Sequence, residues 1–583
     1  MNTEMEIENN YDRDKLIVLS LFLSLSFVLL GFPLRLQQHN LKQIFFFDFA
    51  ALVKESAQMA IVADPGPIDK SVLYDQENHV SSAVWDGQER GVLRCHEHTS
   101  MLVQWKLTRK QIELVEKAGF GYLRLIPSFS LDNSLISALT ERWRRETNTF
   151  HLPVGEMTIT LEDVGLILGL AIEGNPVVGP QSNSPSVVCE KLLGKAPEDL
   201  NGGMLKLTWL KKCFSKCPED ASTETIERYT RAYILYLVGS TIFSTTTGNK
   251  VSIMYLSFFE NFEEAGKFAW GAAALSFLYR TLGNASIKSQ GTISGSLTLL
   301  QCWSYFHLNI GRPKINEDPS GNFPFALRWK GRQSGPRSTS NIVAYRKALD
   351  NLTSSDVQWL PYKDIDFAVV PDHIKDNLNL KLARTMLICI DKAERHMPDR
   401  CLRQFGSPQP IPQKVKRWEK RIRSGDQGID LTKDTELKAK GKVHAEVKDL
   451  TKDTESETKG KVHAEVKDWL DRKQHIVDGV DDVDESEYMQ WYEKITRKFI
   501  GQPESLESEF QRTVAAIKEI ENIADSVLID QIDSRDKKLF NEIKNSVHSC
   551  LTEIIGEPRK GRRKSAAKRK RSNNSNSRDD TTD

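Results

Sequence analysis

The segment Thr147-Asn-Thr-Phe-His-Leu-Pro-Val-Gly-Glu-Met-Thr-Ile-Thr-Leu-Glu-Asp-Val-Gly-Leu-Ile-Leu-Gly-Leu170 constrains what this chain can fold into more than any other stretch. Thr158-Ile159-Thr160 is a short β-prone run, after which Thr160 can cap a helix. Glu162 and Asp163 then fall in the first turn, where negative charge suits the positive end of the helix dipole. Val164, Leu166, Ile167, Leu168 and Leu170 bury that helix, and Gly169 can end it. All of this is folding information, and none of it is chemistry.

With 583 residues the chain has room for several average domains, or for one large domain with appendages. Its average hydrophobic content of 39% conceals a gradient. Residues 64–410 are rich in Trp, Leu and Phe, whereas 414–485 are dominated by Lys, Asp and Glu. The net charge of +1 argues against a uniformly basic nucleic-acid binder, since the basic excess gathers at the C-terminus. Eight cysteines over this length are too sparse for a disulfide framework and point to reduced thiols.

Periodicity predicts helices over 108–118, 131–145, 225–240, 270–282, 293–306 and 380–395, with 176–203 and 313–336 as loops. The expected fold class is mainly α: a large helical domain with a few short strands, a charged disordered linker and a late amphipathic helix. The domain core spans 64–410, and a charged linker follows over 414–487. That linker holds a tandem repeat of period 19, in which 431–449 recurs as 450–468 with three differences. So few apolar residues cannot build a solenoid, so the repeat reads as a solvated duplication. A C-terminal helical segment (488–556, with an amphipathic or coiled-coil stretch at 505–529) and a disordered tail (557–583) complete the chain.

Residues 1–58 form a separate extension. Leu16 to Leu34 is an apolar run just long enough to span a hydrocarbon core. Its acidic flank and the lack of a small-residue cleavage site make it a poor signal peptide. Two readings stay open: a single-pass membrane anchor, or an artefactual extension ahead of native translation at Met59.

Several ordered motifs lie on either side of the opening signature. They include Asp64-Pro-Gly-Pro67, Val84-Trp-Asp-Gly-Gln-Glu-Arg90, Leu139-Thr-Glu-Arg-Trp-Arg144, Trp270-Gly-Ala-Ala-Ala-Leu275, His396-Met-Pro-Asp-Arg400 and Tyr488-Met-Gln-Trp-Tyr492. Together they resemble the plant mobile domain family, also called aminotransferase-like or MAINTENANCE OF MERISTEMS-like, over residues 64–500. The resemblance implies a role in meristem maintenance, genome stability, and silencing of transposons and genes. The implied partners are nuclear silencing or genome-maintenance factors.

The family's names invite tests for catalysis. Pyridoxal phosphate chemistry needs a Schiff-base lysine and a phosphate cup in an alternating βαβ pattern, which this sequence lacks. Some family members are named after a serine/threonine phosphatase, here the phosphatase 7 long form. Its paired-metal motifs, Gly-Asp-x-His-Gly and Gly-Asn-His-Glu, do not occur here. The domain is also found in transposable elements, but a transposase needs three metal-binding carboxylates in an RNase H-like sheet, and the pattern is helical. Cys95-His96-Glu97-His98 offers zinc-type ligands, yet adjacent side chains diverge, and Cys213 and Cys217 are weak candidates to complete a site. Arg142, Trp143, Arg144 and Arg145 read as a core Trp with surface arginines. The expectation is a protein that is not an enzyme, with no catalytic residues, no cofactor and no metal.

The clearest physical site is the tail. Arg559, Lys560, Arg562, Arg563, Lys564, Lys568, Arg569, Lys570 and Arg571 place nine positive charges within thirteen residues. Such a run fits the acidic groove of an import receptor, and it equally fits nucleic-acid phosphates without reading bases. The expected localisation is the nucleus, or a membrane if 16–34 is a real anchor.

Overall fold

The computed structural model describes chiefly residues 65–414 and 462–501, leaving out short stretches such as 97–98, 180–183, 316–322 and 330–341. The chain divides into two units, residues 65–503, and residues 1–64 with 504–583. The second unit, Asn545 apart, lies outside the described residues, as does the first repeat copy. The apolar run 16–34, the stretch 505–529 and the basic cluster 559–571 therefore fall outside them. Among the described residues no helix is long and apolar enough to cross a membrane.

The fold is mainly α. Its principal helices are α1 (Val80–Trp85), α2 (Arg109–Lys117), α3 (Asn133–Arg142), α4 (Leu161–Leu168), α5 (Pro185–Leu193) and α6 (Leu207–Phe214). There follow α7 (Thr223–Ser240), α8 (Trp270–Ala285), α9 (Leu297–His307), α10 (Ile342–Asp350), α11 (Val462–Leu470) and α12 (Glu485–Ile495). Polar side chains start several of them. Thr160 and Asp163 form a reciprocal capping box on α4, and Thr108 and Gln111 form another on α2. Gly169 ends α4 in the left-handed region, with φ 67°.

Helix α8 is buried along almost its whole length, the pattern of a central core helix. Gly271 allows the chain to come close: its N–H donates to the Ala171 carbonyl at 2.8 Å, where a Cβ would meet that oxygen at 2.9 Å.

Among the described residues four small sheets lie within this helical frame, and the two largest position the site. Strands β1 (Trp143–Arg144), β2 (Thr149–Leu152) and β3 (Gly155–Met157) make an antiparallel meander in which every residue is buried. In the second sheet β4 (Val177–Val178) runs parallel to β5 (Thr385–Ile390), which pairs antiparallel with β6 (Lys392–His396). Helices α8 and α11 pack against β5, and all six of its residues are buried.

This sheet corrects the sequence reading at several points. Residues 380–395, predicted as a helix, contain the β5–β6 hairpin. A continuous apolar run such as Met386–Ile390 does not separate a fully buried strand from a buried helix by periodicity. The expected loop 176–203 contains β4 and α5, whose Pro185 sits in the first turn, where a missing N–H costs nothing. In the expected surface excursion, Phe323, Phe325, Ala326 and Trp329 are buried. The closing residues of the second repeat copy and the two that follow, all placed in the solvated linker, form α11 and bury Val466 and Trp469 in the main core.

A buried charge network as candidate functional site

The opening signature forms the centre of a charge network around the β1–β3 meander. Trp143 is fully buried, with Phe150 edge-on at 4.9 Å and Tyr279 at 5.0 Å between ring centroids. Arg142 and Arg144 beside it are buried as well and Arg145 is partly buried, which corrects the expectation that they lie on the surface. Arg142 pairs with Asp350, and donates to the carbonyls of His151 at 3.2 Å and Lys498 at 3.1 Å. Arg145 pairs with Asp75.

Two carboxylates are gripped bidentately. Arg346 binds Glu141 at 2.7 and 2.8 Å, and Arg400 binds Glu156 at 2.7 and 2.6 Å. Burial alone would lower the pKa of Arg400, but Glu156 prevails and raises it. Glu156 also accepts from the Thr149 hydroxyl at 2.8 Å, and its backbone N–H donates to the Tyr488 hydroxyl at 3.2 Å.

Arg144 is different. Its Nη1 lies 2.5 Å from His79 Nδ1 and 3.1 Å from Ser81 Oγ, while Nε and Nη2 find no protein acceptor. Burial lowers its pKa to about 9. His79 Nε2 donates to the Trp143 carbonyl at 2.8 Å, so Nδ1 is the acceptor and the ring is neutral. Burial, reinforced by Arg144, holds His79 and His151 well below the ordinary histidine range.

A second cluster sits at the start of α4. Asp163 Oδ1 accepts from His307 Nε2 at 2.8 Å and from the Tyr362 hydroxyl at 2.7 Å, while Oδ2 takes the Thr160 N–H at 2.7 Å. Burial would raise the carboxyl pKa, but His307, Tyr362 and the cap hold it below the usual value. The Asp–His pairing resembles an acid–base relay, but every group in it is buried, and the two oxygens of Asp163 are taken up by His307, Tyr362 and the helix cap.

Segment 485–501 closes the network. The Tyr492 hydroxyl donates to the Leu152 carbonyl at 2.9 Å, and Thr496 Oγ1 lies 3.0 Å from His151 Nδ1. The N–H groups of Ile500 and Gly501 lie 3.4 Å from the Asp350 carboxylate. Residues as far as 356 positions apart in sequence thus meet around one meander.

Of the sequence-predicted candidates, Cys95 and His96 are half-buried beside a short parallel pairing with Thr292–Ile293, while Glu97 and His98 lie outside the described residues. Burial and Arg94 lower the His96 pKa. Among the described residues no group of three or more His, Cys, Asp or Glu side chains could hold a metal ion. Glu141, Glu156 and Arg400 stand within the family-like motifs without being read there as ionic partners, and Arg346 stands outside them. The only signal was charge within an apolar segment, since each partner lies about 200 residues or more away.

The plant mobile domain family model matches residues 119–493. This chain belongs to that family. It is 55% identical over 502 residues to Protein MAIN-LIKE 2 of Arabidopsis thaliana, covering 85% of this chain and 71% of that protein. It is 48% identical over 484 residues to Protein MAINTENANCE OF MERISTEMS from the same organism, covering 82% and 94%. A Serine/threonine-protein phosphatase 7 long form homolog of that plant is 35% identical over 365 residues, which span 27% of its length. No solved structure matches the chain.

Proposed function

We propose that this protein is a non-catalytic nuclear interaction protein acting in meristem maintenance, through silencing of transposons and genes or protection of genome stability. The observation that carries this reading is the fate of the signature's ionisable groups. Glu156 and Asp163 of the signature, and Glu141 just ahead of it, are buried and bonded within the fold, which supports a structural role for them. Similarity to proteins named for meristem maintenance supports the biological setting. The cluster Arg559–Arg571 supports import, and contacts nucleic acid at most nonspecifically. The partners are then an import receptor and silencing or genome-maintenance factors.

The test is localisation in plant cells of fluorescently tagged forms starting at Met1 and at Met59, each with and without residues 559–571. Nuclear signal from both starts, lost on removing the basic cluster, is the expected result. Membrane signal from the Met1 form would establish 16–34 as an anchor, and nuclear signal that survives removal of the cluster would overturn its targeting role. Elemental analysis of the purified full chain is expected to find no stoichiometric zinc; one ion per chain would reassign Cys95, His96 and His98 as ligands.

A further inference from the structure

Helix α11 is the end of a repeat, and its counterpart in the first copy carries the same residues. Val462-His-Ala-Glu-Val-Lys-Asp468 is identical to Val443-His-Ala-Glu-Val-Lys-Asp449. The heptapeptide makes much of the docking on β5. Val466 and Glu465 are buried, and the Asp468 carboxylate accepts from the Met386 N–H at 2.6 Å and the Thr385 hydroxyl at 3.1 Å. Val447, Glu446 and Asp449 supply the same groups in the first copy.

What distinguishes the copies lies just beyond the repeat. Trp469 is buried, its Nε1 donates to the Gly174 carbonyl at 3.1 Å, and Arg472 stacks over its ring at 4.2 Å while binding Glu173 at 2.5 Å. At the corresponding places the first copy has Leu450 and Asp453. Leu450 has no indole N–H, and Asp453 would face Glu173 with like charge.

We propose that the α11 site on β5 accepts either repeat copy, with Val443–Asp449 as an alternative occupant that Trp469 and Arg472 normally exclude. Exchange moves the docked register by nineteen residues. The connection to α12 lengthens from residues 471–484 to residues 452–484, and the connection from Lys414 shortens to residues 415–442. At about 3.3 Å per extended residue, the shorter tether still reaches roughly 90 Å, so chain length does not forbid the exchange. A tethered competitor also acts at high effective concentration. The device would set how much chain lies ahead of the segment that closes the charge network.

Hydrogen-exchange mass spectrometry on the full chain tests this, because peptides extending into Ala439 or Thr458 distinguish the copies by mass. In the unmodified protein, 462–468 is expected to be at least tenfold better protected than 443–449. Substituting L450W/D453R gives the first copy what it lacks without touching the docked helix. Protection of 443–449 should then rise about tenfold, and that of 462–468 should fall about twofold. The reciprocal W469L/R472D variant should bring the two within about threefold. If 443–449 stays unprotected in L450W/D453R, the proposal is wrong. Protection that disappears on dilution would also overturn it, since the occupant would then come from a second chain.

Discussion

The β1–β3 meander and the repeat are both charge-rich, yet their environments differ. In the meander Arg144 and Glu156 are buried, as is Arg142 just before it. In the repeat, one heptapeptide occurs twice, and the copy followed by Trp469 and Arg472 is docked on β5. Composition does not distinguish these outcomes. Charge goes inside when a distant part of the chain offers the complementary group, as Arg400 does for Glu156 and Arg346 for Glu141.

The largest test of that comparison is to break a buried pair. Glu156→Gln leaves Arg400 without its carboxylate and should cost about 3–5 kcal/mol. Denaturant unfolding of the full chain would measure it. Adding Arg400→Met should recover part of the loss, and a double change that costs as much as the two single ones summed would deny the coupling. Removing the aromatic anchor is expected to rank close behind. Trp143→Ala should cost about 3–5 kcal/mol through the cavity it leaves, read by the same titration.

Acid should weaken the core next. Burial holds His396 at about 4, below the histidine value of 6.5, so the unfolded chain binds the extra proton between these values. The stability this group contributes is complete above pH 6.5 and is lost as pH falls toward 4. His396→Gln should lessen the slope of the stability profile across that window, leaving the share that His79 and His151 supply, and an unchanged slope would locate the acid sensitivity elsewhere. Loss of the cap is smaller: Thr160→Ala should cost about 1 kcal/mol in the same unfolding measurement. Smallest of all is the exposed Arg109–Glu113 pair on α2, at 3.3 Å. Arg109→Ala should leave the unfolding midpoint unchanged within error, in contrast to Glu156→Gln.

Much of the fold was legible because its signals are local. Thr160, Asp163 and Gly169 bound α4 through short-range contacts along the chain, and α7 and α8 follow from continuous helical spacing. The β5–β6 hairpin was hidden because β5 is buried on both faces and lacks the alternation that marks a strand. α5 was hidden because Pro185 reads equally well as a helix start and as a loop. The charge network was the least legible, since arginines flanking a core tryptophan usually point outward, and their partners here come from residues 75–81, from α10 and from the segment beyond residue 485.

The sequence by itself determined the family, the mainly helical class, the caps and the core stripes, because each rests on nearest neighbours or on periodicity within one element. Only the tertiary structure decided which charges are buried and that the helix Val462–Leu470 docks on β5. Those outcomes depend on opposite charges, carbonyls and apolar faces that folding brings together from segments hundreds of residues apart.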